Sequence, residues 1–200
     1  ASILGYLYQF DKTILEILGS GGECKIEGVE DLDVENPGQS DKLLQIKYYD
    51  QQPYKESLVK GPIQGFLQHF REVKKGLKRS ATYHLYAHFQ DFENQLLYDT
   101  DGRLTEQGAE SAISFVKSKF LTQTFYEDKK TKLTKDPVFF WKGNSADEAD
   151  LSDTEIEEFI SNIRFDLKAV SYDLQLERVF EAITETVRDC TNRIEAEEYY

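Results

Sequence analysis

The chain has 200 residues, enough for one α/β domain or one domain with a helical extension. Hydrophobic residues make up 40% and aromatics 13%, so a core can form and a disordered chain is excluded. The net charge of −13, with a pI near 4.7, argues on composition alone against a nucleic-acid partner, because phosphates repel an acidic surface.

Gly5 to Leu18 has the pattern of an amphipathic helix, with Leu4, Leu7, Tyr8, Ile14, Leu15 and Leu18 at helical spacing. The run Gly19-Ser20-Gly21-Gly22 ends it. Glu23 to Val34 alternates as one strand, with a bend at Gly28, and Asn36-Pro37-Gly38 is a turn. Lys42 to Tyr49 is a second strand, paired with the first as a hairpin with a long loop. Ser57 to Leu77 is mostly helix, started or interrupted near Gly61-Pro62. Thr82 to Phe89 is a third strand. Thr105 to Phe120 and Leu151 to Ile163 are helical, with a capping box expected between Thr154 and Glu157. Lys129 to Asp150 is the least regular stretch. Leu174 to Glu198 is one long helical pattern. This order suits an α/β core over 1–125 and a helical C-terminal part over 126–200, packed on the same domain. The last helix stops at Tyr200 with no cap or tail, so a fragment of a longer protein is expected.

Charge is unevenly spread. From Lys55 to Arg79 seven cations stand against two carboxylates, whereas Asp147 to Glu158 is strongly acidic. Cys24 and Cys190 are far apart and fit neither a zinc pattern nor a disulfide framework; both read as small core residues. No apolar run is long enough to span a bilayer and no basic-then-apolar leader opens the chain, so no membrane partner and a cytoplasmic location are expected.

Side-chain parity gathers a polar set. On the first strand Asp31 and Asp33 share a face opposite Leu32 and Val34; on the second, Gln45 and Lys47 share a face opposite Leu44 and Ile46. If the strands pair, one face packs on the core and the other collects two carboxylates, an amide and an ammonium. Phosphodiester hydrolysis uses such a set. A carboxylate holds Mg²⁺, the metal activates a water, and a lysine stabilises the charge that builds on the phosphorus oxygens. Alternating charges on an exposed strand are also ordinary, and Asp opposite Lys is a common stabilising pair.

Three segments carry a resemblance: Gly5-Tyr6-Leu7-Tyr8-Gln9, the run Ile26 to Val34, and Leu44-Gln45-Ile46-Lys47-Tyr48-Tyr49. In order and spacing the sequence resembles the PD-(D/E)xK double-stranded DNA endonuclease domain of bacterial anti-phage effectors. Some of these carry a SAVED sensor for a cyclic oligonucleotide made by a CD-NTase. The resemblance covers roughly residues 1–90. The run Asn192 to Tyr200 is also similar to the family's helical part, less specifically. It implies a restriction-endonuclease-like core, a mixed sheet flanked by helices. It also implies that Asp33 is the metal carboxylate, that Gln45 stands where many relatives have Glu, that the Ile46 main-chain carbonyl is a further ligand, and that Lys47 is the catalytic lysine. Mg²⁺ or Mn²⁺ is the implied cofactor. Asp31, Glu30 and Glu16 are further candidate metal ligands. Lys60, Lys74, Lys75, Lys78 and Gln9 are candidate DNA contacts. Double-stranded DNA is the expected partner, homo-oligomerisation on activation is expected, and a fused sensor would lie outside this chain.

Two other readings stand beside this one. A non-catalytic interaction or oligomerisation module with a degenerate nuclease fold would leave Lys47 pointing into solvent away from Asp33. An RNA-directed nuclease would keep the same site. His69, His84 and His88 read as structural or solvent-facing, and Tyr48 and Tyr49 as packing residues.

Overall fold

The computed structural model describes residues 2–20, 23–26, 31–35, 38–91, 105–124, 138–141, 151–187 and 190–200. Helix α1 (Ile3–Gly19) starts on Ser2, whose hydroxyl accepts the Gly5 N–H. Strands β1 (Glu23–Ile26) and β2 (Leu32–Glu35) pair antiparallel, Cys24 opposite Val34 and Ile26 opposite Leu32. The expected single strand with a bend at Gly28 is therefore a hairpin; Gly28 and Glu30 lie outside the described residues. Alternation alone does not distinguish a kink from a reversal, since both preserve period two on either side.

Strand β3 (Asp41–Tyr49) pairs antiparallel with β2, and helix α2 (Glu56–Lys74) returns the chain to β4 (Ala81–Phe89), which pairs parallel with β3 over its whole length. Helix α3 (Glu106–Phe120) leads into a small antiparallel sheet of β5 (Leu121–Thr124), β6 (Val138–Trp141) and β7 (Leu151–Ser152). Helix α4 (Asp153–Ser161) follows at once and is capped by Ser152 and Glu155, not by Thr154 and Glu157. The expected box sits two residues too late because β7 ends on Ser152, which fixes the cap there. Strand β8 (Ile163–Asp166) then joins β4 in parallel, completing a five-stranded mixed sheet in the order β1-β2-β3-β4-β8. The C-terminal third is thus not only helical; it supplies a strand of the main sheet.

Both faces of this sheet are covered. Leu32, Val34, Leu44, Ile46 and Tyr86 pack beneath Tyr8 of α1. Leu43, Tyr83, Leu85, Ala87 and Phe89 pack against α2 and α4 through Ile63, Phe66, Phe70 and Phe159. Burial on two sides explains the near-continuous apolar character of β4. Pro62 lies inside α2 and does not break it. Proline has no N–H to give the carbonyl four residues back, that of Leu58. The Tyr49 hydroxyl donates to that carbonyl instead, at 3.3 Å.

The long C-terminal pattern divides into α5 (Tyr172–Thr186) and α6 (Arg193–Tyr199). Asn192 caps α6 by accepting the Glu195 N–H, and the Glu195 carboxylate accepts from the Thr191 N–H at 2.6 Å. The apolar stripe survives the break because Val179, Ile183, Cys190 and Ala196 meet in one cluster against Ile14, Leu15 and Leu18 of α1. Gln175 ties α5 to α1 by donating to the Tyr8 carbonyl at 2.7 Å. Cys24 and Cys190 are both free thiols. Among the described residues no helix is long and apolar enough to cross a membrane.

Candidate active site at the open edge of β3

Among the described residues the pairing of β2 with β3 runs from Val34–Lys42 to Leu32–Leu44 and goes no further. Backbone groups alternate sides along a strand, so Ile46, two residues on from Leu44, turns both its N–H and its C=O toward the edge that β2 has left. Unpaired strand edges need partners. Two side chains supply them. Asp31, immediately before β2, accepts the Ile46 N–H on Oδ2 at 2.8 Å. Gln9 of α1 donates through Nε2 to the Ile46 carbonyl at 3.1 Å.

The same two groups build a polar cluster. Gln9 Nε2 also donates to Asp31 Oδ2 at 3.0 Å, and Lys47 Nζ reaches that oxygen at 3.0 Å. Asp31 Oδ2 is therefore a three-donor acceptor fed by an amide, a main-chain N–H and an ammonium. Charge-assisted hydrogen bonds of this kind are roughly twice as strong as neutral ones. The pair is neither sealed nor free, with side-chain exposures of 26% for Lys47 and 22% for Asp31. Partial burial strengthens the attraction while leaving access for a ligand. Nearby Tyr49 has its hydroxyl pKa pushed up, by burial first and then by the Asp31 charge.

The sequence placed the leading carboxylate at Asp33. The structure puts Asp33 opposite Leu43, so strand parity sets it on the same face as Gln45 and Lys47. It is buried, at 6% exposure. The Asp31 carboxylate touches Lys47 at 3.0 Å. Parity between strands had marked both acids; what it could not show is that β2 stops short, so that Asp31 leaves the ladder and its side chain caps Ile46.

Glu16 takes no part in this cluster. It accepts from Lys12 and from Lys42, each at 2.7 Å, and those two cations hold its pKa down at about 2 against the opposing effect of burial, the largest single influence. Lys42 lies five residues before Lys47, roughly 17 Å along an extended strand, and Glu16 belongs to that far end. The expected reach of Glu16 to a metal beside Lys47 is thus corrected: α1 runs antiparallel to β3 and carries Glu16 away from the site.

The cations of the basic segment divide between the two ends of α2. Lys60 is exposed on its second turn, at the end where β3 delivers Lys47. Lys74, Lys75 and Lys78 sit around its C-terminus, at the end where Asp41 and Ala81 begin their strands. Lys74 is in addition ion-paired with Glu158 of α4. The histidines have structural surroundings. His69 Nδ1 lies 3.1 Å from the Tyr83 hydroxyl, and His88 Nδ1 lies 2.8 Å from the Ala169 carbonyl. His84 is buried beside Tyr86, with both ring nitrogens lacking a hydrogen-bond partner. Tyr48 packs on Tyr8 and His88, and Tyr49 stacks on Phe89 at 5.0 Å.

Among the described residues the oxygen donors at this edge are the Asp31 carboxylate and the Ile46 carbonyl, with Gln45 at the preceding position of β3. Among the described residues no three His, Cys, Asp or Glu side chains cluster as ligands. A hard-oxygen set with one or two carboxylates still fits Mg²⁺, which keeps several waters and takes further ligands from a bound phosphate. It does not fit zinc, which is held by three or four nitrogen, sulfur or carboxylate ligands. No protein-family model, curated protein or solved structure matches the chain.

Proposed function

We propose that the chain is a metal-dependent nuclease that hydrolyses DNA phosphodiesters with water as nucleophile. The observation that carries this reading is the meeting of Asp31, Lys47 and the Ile46 main chain at one open strand edge. An acidic residue beside one strand and Gln45-x-Lys47 on the next, in a mixed sheet flanked by helices, supports a restriction-endonuclease-like core.

In this reading Asp31, Gln45 and the Ile46 carbonyl would hold Mg²⁺ or Mn²⁺, and Gln9, which donates to Asp31 Oδ2, keeps that carboxylate aimed at the site. The ion supplies a water of lowered pKa and a positive charge for the phosphoryl oxygens. Lys47, whose Nζ lies 3.0 Å from Asp31 Oδ2, stabilises the negative charge that develops on the non-bridging oxygens. Asp33, behind these groups on the same face, fixes local charge and packing and is not the principal ligand. The wider role implied by the resemblance, a DNA-cleaving arm of an anti-phage effector that assembles into oligomers on activation, belongs to the same proposal.

The test is plasmid cleavage by wild type and Lys47→Ala with Mg²⁺, with Mn²⁺ and with EDTA. Cleavage that needs the metal and is lost in the variant is expected. Metal-dependent cleavage by Lys47→Ala at the wild-type rate would place the active site elsewhere. No cleavage by wild type under any condition would leave the open edge as part of a non-catalytic module.

A further inference from the structure

Beside the Asp31–Lys47 cluster lies an open groove of about 380 Å³, walled by Ile3, Tyr6 and Phe10 of α1 and by Ile26 of β1. Gln9 and Asp31 form its polar end, so the groove and the candidate active site share two side chains. Its walls are apolar yet in water: Tyr6 is 59% exposed, Phe10 48% and Ile26 59%. We infer that the groove holds one unpaired nucleobase of the strand lying across the site, so that the substrate is single-stranded, or opened, at that point. This rests on the nuclease reading above.

Three observations favour a base over other occupants. The first is size. A space at the lower end of small-ligand pockets suits a planar ring system, not a duplex or a packed helix. The second is the nature of the walls. Two exposed aromatic rings one helical turn apart present faces on which a base can stack, and stacking tolerates any base because each has a π-face. The third is charge. The chain carries a net charge of −13, and among the described residues Lys74, Lys75 and Lys78 of the basic segment stand at the far end of α2 from Lys47. A strand held at this site needs a source of affinity other than counterion release. Stacking supplies it, and the shared Gln9 and Asp31 join the groove to the polar cluster that Asp31 forms with Lys47.

The experiment is equilibrium binding in EDTA of a short single-stranded oligodeoxynucleotide carrying a fluorescent adenine analogue, and of the same strand in a duplex. The single strand should bind more tightly than the duplex, with its fluorescence quenched by stacking. Tyr6→Ala and Phe10→Ala should each weaken single-strand binding by roughly 5- to 150-fold and relieve the quenching. Tyr6→Leu keeps an apolar wall without a ring and should weaken binding as Tyr6→Ala does, whereas Tyr6→Trp should retain it. Both positions are exposed, and circular dichroism verifies that each variant folds. Equal or tighter binding of the duplex, or wild-type binding by Tyr6→Leu, would overturn the assignment. So would a wild-type dimer in sedimentation equilibrium that Tyr6→Ala and Phe10→Ala dissociate, since the groove would then be a self-interface. Failure of the two readings is distinguishable. Quenched single-strand binding without metal-dependent cleavage upholds the groove and removes the nuclease. Cleavage that persists in the ring variants, with no quenching in wild type, upholds the nuclease and removes the groove.

Discussion

Lys47 Nζ and the Ile46 N–H converge on a single oxygen, Asp31 Oδ2, at 3.0 and 2.8 Å. One carboxylate oxygen thus closes the strand edge and neutralises the ammonium. The two roles separate in Asp31→Asn, which keeps an acceptor for Ile46 but loses the charge. Under the nuclease reading, Lys47→Ala and Asp31→Asn each lower the cleavage rate by roughly 10²–10³. Raised Mn²⁺ partly restores Asp31→Asn and does not restore Lys47→Ala. Asp33→Asn lowers cleavage far less than Asp31→Asn, and initial rates on supercoiled plasmid decide the order. If the pair only locks the edge, each substitution changes stability by less than about 1 kcal/mol and any cleavage survives.

Gln9 spans both partners of that edge, so its removal has a structural and a functional signature. Gln9→Ala leaves the Ile46 carbonyl without its donor, at a cost of about 1 kcal/mol in urea unfolding, the lower end for a group that water can partly reach. Gln9→Glu is worse: it offers no donor to Ile46 and sets a second anion against Asp31. Metal-dependent cleavage should fall in both variants, and further in Gln9→Glu. Equal unfolding midpoints for wild type and both variants would remove Gln9 from the edge.

Much of this arrangement was legible in the residues themselves. The first helix, the strands at Asp41–Tyr49 and Ala81–Phe89 and the helix between them follow from periodicity and turn residues, because their burial is regular. Alternation also placed Asp31, Asp33, Gln45 and Lys47 on one polar face. What period could not convey is where pairing ends. That Asp31 caps Ile46 depends on the pairing of β2 with β3 stopping at Leu32, a tertiary fact. Strand β8, Ile163-Arg164-Phe165-Asp166, was hidden for a different reason. It directly follows α4, and four residues are too few for period two to stand out against 3.6. The break between α5 and α6 was missed because Cys190 and Ala196 continue the apolar stripe across it; Asn192 with Glu195 three residues on was the cap signal that reveals it.

Pro62 and Tyr49 should be coupled. The Leu58 carbonyl accepts the Tyr49 hydroxyl because residue 62 has no N–H to give. Tyr49→Phe is expected to cost about 0.5–1.5 kcal/mol in the wild-type background. In a Pro62→Ala background the helix supplies its own donor, and the same change should cost clearly less. A double-mutant cycle by chemical denaturation measures the difference. Additive effects would show that the hydroxyl contributes nothing to the proline site.

His84 makes stability depend on pH in a defined window. Burial, then the charges of Lys42, Lys12 and Arg164, depress its pKa from 6.5 to about 3, with Glu16 opposing. The folded state therefore keeps the ring neutral while the unfolded chain takes up a proton below 6.5. Between these values the unfolded state binds more protons, so stability falls as pH drops from about 6.5 toward 3. Glu16, held at about 2, adds a loss of the same sign only below its ordinary 4.5, which leaves pH 4.5–6.5 as the clearer interval. Asp11 acts in the opposite sense, since burial raises its pKa. His69, whose pKa is also lowered by burial, retains a smaller slope. His84→Phe should flatten the dependence of the unfolding midpoint on pH in this interval. It should not destabilise the fold at pH 7, because neither ring nitrogen of His84 has a hydrogen-bond partner to lose. An unchanged slope would mean that the ring is protonated in place.

The two ends of α2 should answer differently to charge reversal. Lys60 stands at the end that carries Lys47, whereas Lys74, Lys75 and Lys78 stand roughly 17 Å or more away along β3. A duplex long enough to cover both ends would contact all four; a strand held at the open edge would contact Lys60 alone. Removing a cation that neutralises one phosphate lowers the slope of log affinity against log salt by about one. Lys60→Glu is therefore expected to reduce the slope for single-stranded DNA by about one unit. Lys75→Glu and Lys78→Glu should leave it unchanged. Lys74→Glu places a second carboxylate against Glu158 and loses an exposed ion pair, so its effect belongs in the unfolding midpoint, by less than about 1 kcal/mol for the pair itself. Binding titrations at several salt concentrations separate the cases. A slope that falls with Lys75→Glu and Lys78→Glu as steeply as with Lys60→Glu would show that the nucleic acid runs the whole length of α2.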